Sequence, residues 1–122
     1  MILVDSGIWI SHMRTADATL AGLLRAGQVL LHPCVLGELA LGHIRNRTEL
    51  LRELHRMKLA IVARDDEVLS LIERERLAGL GIGYVDACLL AATRLTAGAA
   101  LWSGDRKLAE TAARLGVSWQ PE

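Results

Sequence analysis

The chain has 122 residues, 52% of them apolar and 23% charged, with 14 basic and 14 acidic side chains and hence a formal net charge of zero. That length predicts one domain, 1–122, with enough apolar material for a core shared by a sheet and helices, and the composition excludes a disordered tail or a membrane protein. Neutrality argues against a protein that simply coats nucleic acid, but not against an enzyme that touches a few phosphates or carries a basic patch offset by acids elsewhere.

Residues 2–4 form a short apolar run ending at Asp5, the pattern of a buried parallel strand followed by a turn. Helical segments follow at 7–13 and at 19–26, the second stopped by Gly27. A second strand is predicted at 29–31. Pro33 then opens a helix at its first turn that carries Glu38 and runs to about 44. Asn46 or Thr48 caps the next helix, to about 57. A third strand is predicted at 59–62, and Asp65 or Asp66 caps a helix to about 78. The Gly79–Gly83 loop leads into a very apolar helix over 84–96. A fourth strand at 99–102, a turn at 103–105, a helix over 106–115 stopped by Gly116, and an edge strand at 117–119 complete the chain. Short apolar strands alternating with helices imply right-handed crossovers and a parallel sheet covered on both faces, with sites beyond the carboxyl ends of the strands. Asp5 and Asp105 both fall just past such an end.

The start, Met-Ile-Leu-Val-Asp5, has no basic leader ahead of an apolar run, and no stretch approaches bilayer-spanning length, so a cytoplasmic protein without a membrane partner is expected. Cys34 and Cys88 lack CxxC spacing and read as buried free thiols. The scattered His12, His32, His43 and His55 offer no zinc pattern.

Two acids stand out. Asp86 is the only charged residue from Tyr84 to Thr93, and Glu38 the only one from Cys34 to Gly42. A carboxylate on so apolar a helix carries a desolvation cost unless something offsets it; for Asp86 the helix N-terminus helps. Asp5 and Asp105 can each be explained as a helix cap. Four carboxylates converging without cations would repel one another and raise their pKa values, and only Arg106 and Lys107 stand near them in sequence. A hard divalent cation would neutralise them, and oxygen-only ligands select magnesium or manganese. Such an ion suits phosphoryl chemistry: it lowers the pKa of a bound water, clamps a phosphate oxygen and stabilises the leaving oxygen. Ser6 and Ser103, beside two of the acids, can hydrogen-bond a metal water or a carboxylate, or are ordinary turn serines.

These segments resemble the motifs of PIN-domain proteins, especially VapC-type toxins. Ile2-Leu3-Val4-Asp5-Ser6-Gly7-Ile8-Trp9-Ile10 is similar to the first motif, Val35-Leu36-Gly37-Glu38-Leu39 to the second, Gly83-Tyr84-Val85-Asp86 with the apolar run to Ala92 to the third, and Leu101-Trp102-Ser103-Gly104-Asp105 to the fourth, the likeness covering essentially the whole chain. The resemblance implies a PIN-like three-layer α/β/α sandwich around a parallel sheet of four to five strands. It implies a magnesium- or manganese-dependent endoribonuclease whose site is Asp5, Glu38, Asp86 and Asp105, supported by Ser6 and Ser103. It further implies a homodimer, a cognate antitoxin as partner, and tRNA or rRNA as substrate. The departures are mild: Ser6 and Ser103 stand where Thr is frequent, and Leu108 where Phe often follows the fourth acid.

Rival readings fit less well. A haloacid-dehalogenase phosphatase needs Asp-x-Asp after the first strand, where position 7 is Gly. A receiver domain needs an acid pair there, and Asp65-Asp66 lies elsewhere. The non-enzyme alternative is a catalytically silent PIN-like module that binds antitoxin or RNA. Gly79, Gly81 and Gly83 lack the Gly-Lys-Ser/Thr of a phosphate loop. The basic cluster Arg45, Arg47, Arg52, Arg56 and Lys58 reads as a solvated helix face, an RNA contact or an antitoxin contact; Glu73–Arg76 reads as a solvated face, and Trp9 as core.

Overall fold

The computed structural model describes all residues, Met1–Glu122. The order is β1 (Ile2–Val4), α1 (Ser6–Arg14), α2 (Ala18–Arg25), β2 (Val29–Leu30), α3 (Pro33–Leu41), α4 (Arg47–His55), α5 (Asp65–Arg74), α6 (Tyr84–Leu95), β3 (Ala100–Trp102) and α7 (Arg106–Arg114). The strands form a parallel sheet in the order β2-β1-β3, with Leu3 opposite both Leu30 and Leu101. All three residues of β1 are buried, so the central strand is covered on both faces, as a parallel sheet between helices requires. The core comprises 24 buried apolar residues and includes Trp9, as expected. No helix is long and apolar enough to cross a membrane.

The sheet has three strands, not four to five. The segment expected as a strand at 59–62 makes a single bridge, Leu59 opposite Leu31, and that expected at 117–119 another, Ser118 opposite Leu101. Physical limits cut both short. Pro33 starts α3 two residues after Leu31 and removes the partner chain, while Ile61 N–H is taken by Thr96 Oγ1 at 2.8 Å rather than by a strand. At the other edge Leu101 satisfies Val117 C=O and Trp119 N–H at 2.7 and 2.9 Å, and β3 ends one residue later.

Helix ends differ where local partners compete. α3 stops at Leu41 rather than near 44, because Gly42 is extended and the Arg47 guanidinium donates to Ala40 C=O at 3.2 and 2.8 Å. Asn46 precedes α4 in a left-handed conformation (φ 52°) and makes no side-chain cap. Arg64, not Asp65 or Asp66, holds the cap position of α5, with its N–H bonded to the Glu67 carboxylate at 2.9 Å. α5 ends at Arg74, short of 78, and Arg76 turns the chain with φ 53°. Cys34 and Cys88 are free thiols, but half-buried rather than buried.

Order β2-β1-β3 means that the chain leaves β1 for one neighbour and later returns on its other side. The crevice beyond the carboxyl end of β1 is therefore a topological switch point, where ligands bind in open α/β sheets. Asp5 is the first residue past that end.

Two outcomes test this packing. Leu3 is 0% exposed and Leu41 90% exposed, so the same truncation should separate them: Leu3→Ala is expected to cost about 2–5 kcal/mol in urea denaturation, and Leu41→Ala less than about 0.5 kcal/mol. Equal losses would contradict the burial pattern. His32 caps α3 by accepting Cys34 N–H on Nδ1 at 3.0 Å and is buried, which lowers its pKa. The unfolded chain therefore takes up a proton first, and stability present above about pH 6.5 should fall as pH drops below it. His32→Asn, which keeps a capping oxygen, should flatten that part of the stability–pH curve.

Candidate active site

Asp5 follows β1 and caps α1: Oδ1 accepts Ser6 N–H at 2.8 Å. Its other oxygen, Oδ2, accepts the hydroxyl of the buried Ser103 at 2.8 Å, and Ser103 Oγ in turn accepts Asp105 N–H at 3.0 Å. One hydroxyl thus ties the end of the central strand to the turn after β3. Asp105 caps α7 by accepting Leu108 N–H on Oδ1 at 3.1 Å. Asp86, in the first turn of α6, accepts Gly83 N–H on Oδ2 at 3.0 Å. The turn chemistry that makes each residue a good cap also fixes where its carboxylate sits, and leaves Oδ1 of Asp86 and Oδ2 of Asp105 without a protein donor.

All four acids, with Ser6 and Ser11, line one cleft of about 560 Å³ that contains no lysine or arginine in its walls. Ser6 and Ser103 both act within this arrangement, Ser6 through its backbone at Asp5. Sequence reading did not single out Ser11; it faces the cleft one helical turn after Gly7, a spacing visible in the sequence once the inward face of α1 is known. Glu38 sits on a less apolar surface than its uncharged neighbours in sequence imply. α3 is not embedded on most of its circumference: only Val35 and Leu39 are buried, and Glu38 and Leu41 are exposed. Its lack of charge reflects a helix that lies between cavities. The argument for Asp86 holds, since residues 87 and 89–93 of α6 are all buried.

The acids feel one another. Partial burial pushes Glu38 above the usual carboxylate range, and the charges of Asp5 and Asp86 add to it, offset in part by the Ser6 hydroxyl beside it. Partial burial also raises Asp86. Gly83 N–H counters this, while Asp5 and Asp105 push it further up. No three of these side chains close on one point as a ready-made ligand set. The donor set is nonetheless oxygen-only and in excess of negative charge, which suits a small hard cation that keeps part of its water shell and takes only one or two carboxylates directly.

The PIN domain family model matches residues 2–114. Among curated proteins, the chain is similar to Ribonuclease VapC32 of Mycobacterium tuberculosis in two strains, each 45% identical over 122 residues, spanning 100% of this chain and 98% of the relative. Motif order, fold and full-length similarity agree, and the chain belongs to the PIN-domain family, among its VapC-type members.

Proposed function

We propose that residues 1–122 form one PIN unit acting as a magnesium- or manganese-dependent endoribonuclease, the toxin of a toxin–antitoxin pair. The observation that carries the chemistry is the cleft in which Asp5, Glu38, Asp86 and Asp105 meet with no basic side chain in its walls. The ribonuclease name of the VapC32 relatives supports RNA as substrate, and the VapC-type resemblance supports tRNA or rRNA and a cognate antitoxin that restrains the enzyme in the cytoplasm. A homodimer accords with the apolar Leu59, Ile61 and Val62, all about half exposed along the open sheet edge beside β2.

When bound, the divalent ion supplies a water of lowered pKa and positive charge for the phosphate oxygens. Asp5 and Asp86 are the direct ligands in this reading. Glu38 and Asp105 act through water, Glu38 from the exposed rim and Asp105 through its free Oδ2. Ser103 is a positioning residue: it holds Asp5 Oδ2 while fixing the Asp105 backbone. Ser6 holds the other oxygen of Asp5 and faces Glu38.

Four measurements test this. Millimolar magnesium or manganese should raise the melting temperature of the wild type through mass action on the native state, and Asp5→Asn should lose most of the shift; a wild type indifferent to both ions sinks the metal reading. Without divalent ions, Asp86→Asn should melt higher than the wild type by about a few degrees, because a partly buried, repelled carboxylate becomes neutral while Gly83 N–H keeps an acceptor. The raised Glu38 and Asp86 must lose protons to bind metal, so metal affinity should fall with decreasing pH already above the ordinary carboxylate range. Finally, expression in bacteria should arrest growth, with metal-dependent RNA cleavage in vitro, and Asp5→Asn or Asp86→Asn should abolish both. Arrest by wild type and variants alike would favour a silent binding module.

A further inference from the structure

The proposed cleft poses a problem for its own substrate. Its walls carry four carboxylates and no lysine or arginine, so they repel an RNA backbone everywhere except at a bound cation. Phosphate-binding cations supply most of the sequence-independent affinity of nucleic-acid proteins, and here they have to lie just outside.

A second, larger cavity adjoins it. α1, α3, α4 and the 42–46 turn enclose a groove of about 1170 Å³, and Glu38 lines both groove and cleft. Arg14 from α1, Arg45 from the turn and Arg52 from α4 line this groove. All three are exposed and none is ion-paired; the arginines that make salt bridges are Arg56, Arg64, Arg94 and Arg106. Of the acids beyond Glu38, Glu49 and Glu53 line the groove, and Glu53 already faces Arg56 at 3.6 Å. The basic cluster of the sequence therefore divides. Arg47 is structural, since both its bonds go to Ala40 C=O and pin the turn that carries Arg45. Arg45 and Arg52 face the groove, joined by Arg14 from 31 positions before Arg45 in the chain.

The groove contains no phenylalanine, tyrosine or tryptophan, and its only rings are the imidazoles of His12 and His43, the first already accepting Asp17 N–H on Nδ1 at 2.9 Å. The large stacking platforms that usually grip bases are therefore missing from it. What it offers instead are guanidiniums, which bond phosphate oxygens bidentately.

We propose that this groove is the track for the single-stranded RNA flanking the scissile phosphate, with Arg14, Arg45 and Arg52 holding its backbone as the strand leaves the cleft past Glu38. The inference rests on the ribonuclease reading and extends it. The track holds phosphates, not bases, so it tightens binding uniformly across sequences and leaves target choice to RNA shape.

The test uses the full chain and labelled oligouridylate, in EDTA so that no cleavage occurs, with anisotropy read across about 50–200 mM salt. Each of Arg14→Gln, Arg45→Gln and Arg52→Gln should weaken binding several-fold and reduce the slope of log K against log salt by about 0.7, and the triple variant by about 2. Arg64→Gln, on α5 and paired with Asp66, should change neither. The magnesium-induced melting shift should persist in the triple variant, showing the fold and acid cleft intact. Unchanged affinity and slope in the triple variant, with that shift retained, overturns the track and leaves the ribonuclease reading standing. The same holds if the triple variant keeps RNA but loses capture of the co-expressed antitoxin, which would assign the groove to a protein. Failure of the wild type to cleave RNA with magnesium present overturns the ribonuclease reading and the track with it.

Discussion

Like charges gathered in one cleft are the constraint around which this structure is arranged. Four carboxylates share a cleft at the carboxyl end of β1, and at neutral pH their repulsion works against folding. Three helices begin at that cleft. Asp5 caps α1, Asp105 caps α7 and Asp86 sits in the first turn of α6, so each of these acids accepts a backbone N–H at a helix N-terminus. The positive ends of three helix dipoles thus surround the negative cluster. Ser103 adds a hydroxyl donor to Asp5 and accepts Asp105 N–H, which binds β1 to the turn after β3. Glu38 differs: it lies in the middle of α3, where backbone N–H groups are already used, and no such compensation reaches it. Its raised pKa follows first from partial burial and then from the charge of Asp5, which the Ser6 hydroxyl offsets only in part.

Much of this was legible in the sequence, for physical reasons. Asp5 and Asp105 stand where an apolar run stops and a helix starts, and an acid in that place caps the helix and lies at the carboxyl end of a parallel strand at once. Asp86 was conspicuous because α6 is buried around most of its girth, so one charge among its apolar residues needed a reason. The edges of the sheet were less legible. Residues 59–62 and 117–119 have strand-like composition, but pairing depends on a partner that stays extended, and Pro33 and the short β3 do not provide one. Composition records the wish to pair and tertiary context decides its length. For α3 the error ran the other way. A run with one charge implies a desolvated Glu38, whereas Glu38 and Leu41 are exposed, because one sequence cannot distinguish a face turned to the core from one turned to a groove.

The zero net charge also takes on a different meaning in three dimensions. It is a sum over a cleft whose only charged side chains are acids and a neighbouring groove where three unpaired arginines stand among Glu38, Glu49 and Glu53. Arg14 could not be grouped with Arg45 and Arg52 from the chain alone, since α2, β2 and α3 intervene. Arg47, indistinguishable from its neighbours in sequence, has its guanidinium fixed at the end of α3 by two bonds to Ala40 C=O and lies outside the groove lining. Averaged composition hides such segregation, and a polyanion responds to the local field, not to the sum.

α3 is the wall these two regions share, and Glu38 is the one side chain that lines both. With no helix-terminal N–H to anchor it, its carboxylate has the Ser6 hydroxyl as its partner and the charges of Asp5 and Asp86 as its near neighbours, while its other side borders the groove. Any charge that enters the groove therefore changes the balance at Glu38 before that at the other three acids. Asp5, Asp86 and Asp105 are fixed by the helices they begin, and their geometry is set by folding. Glu38 is the member of the set whose charge state depends on what occupies the space beside it.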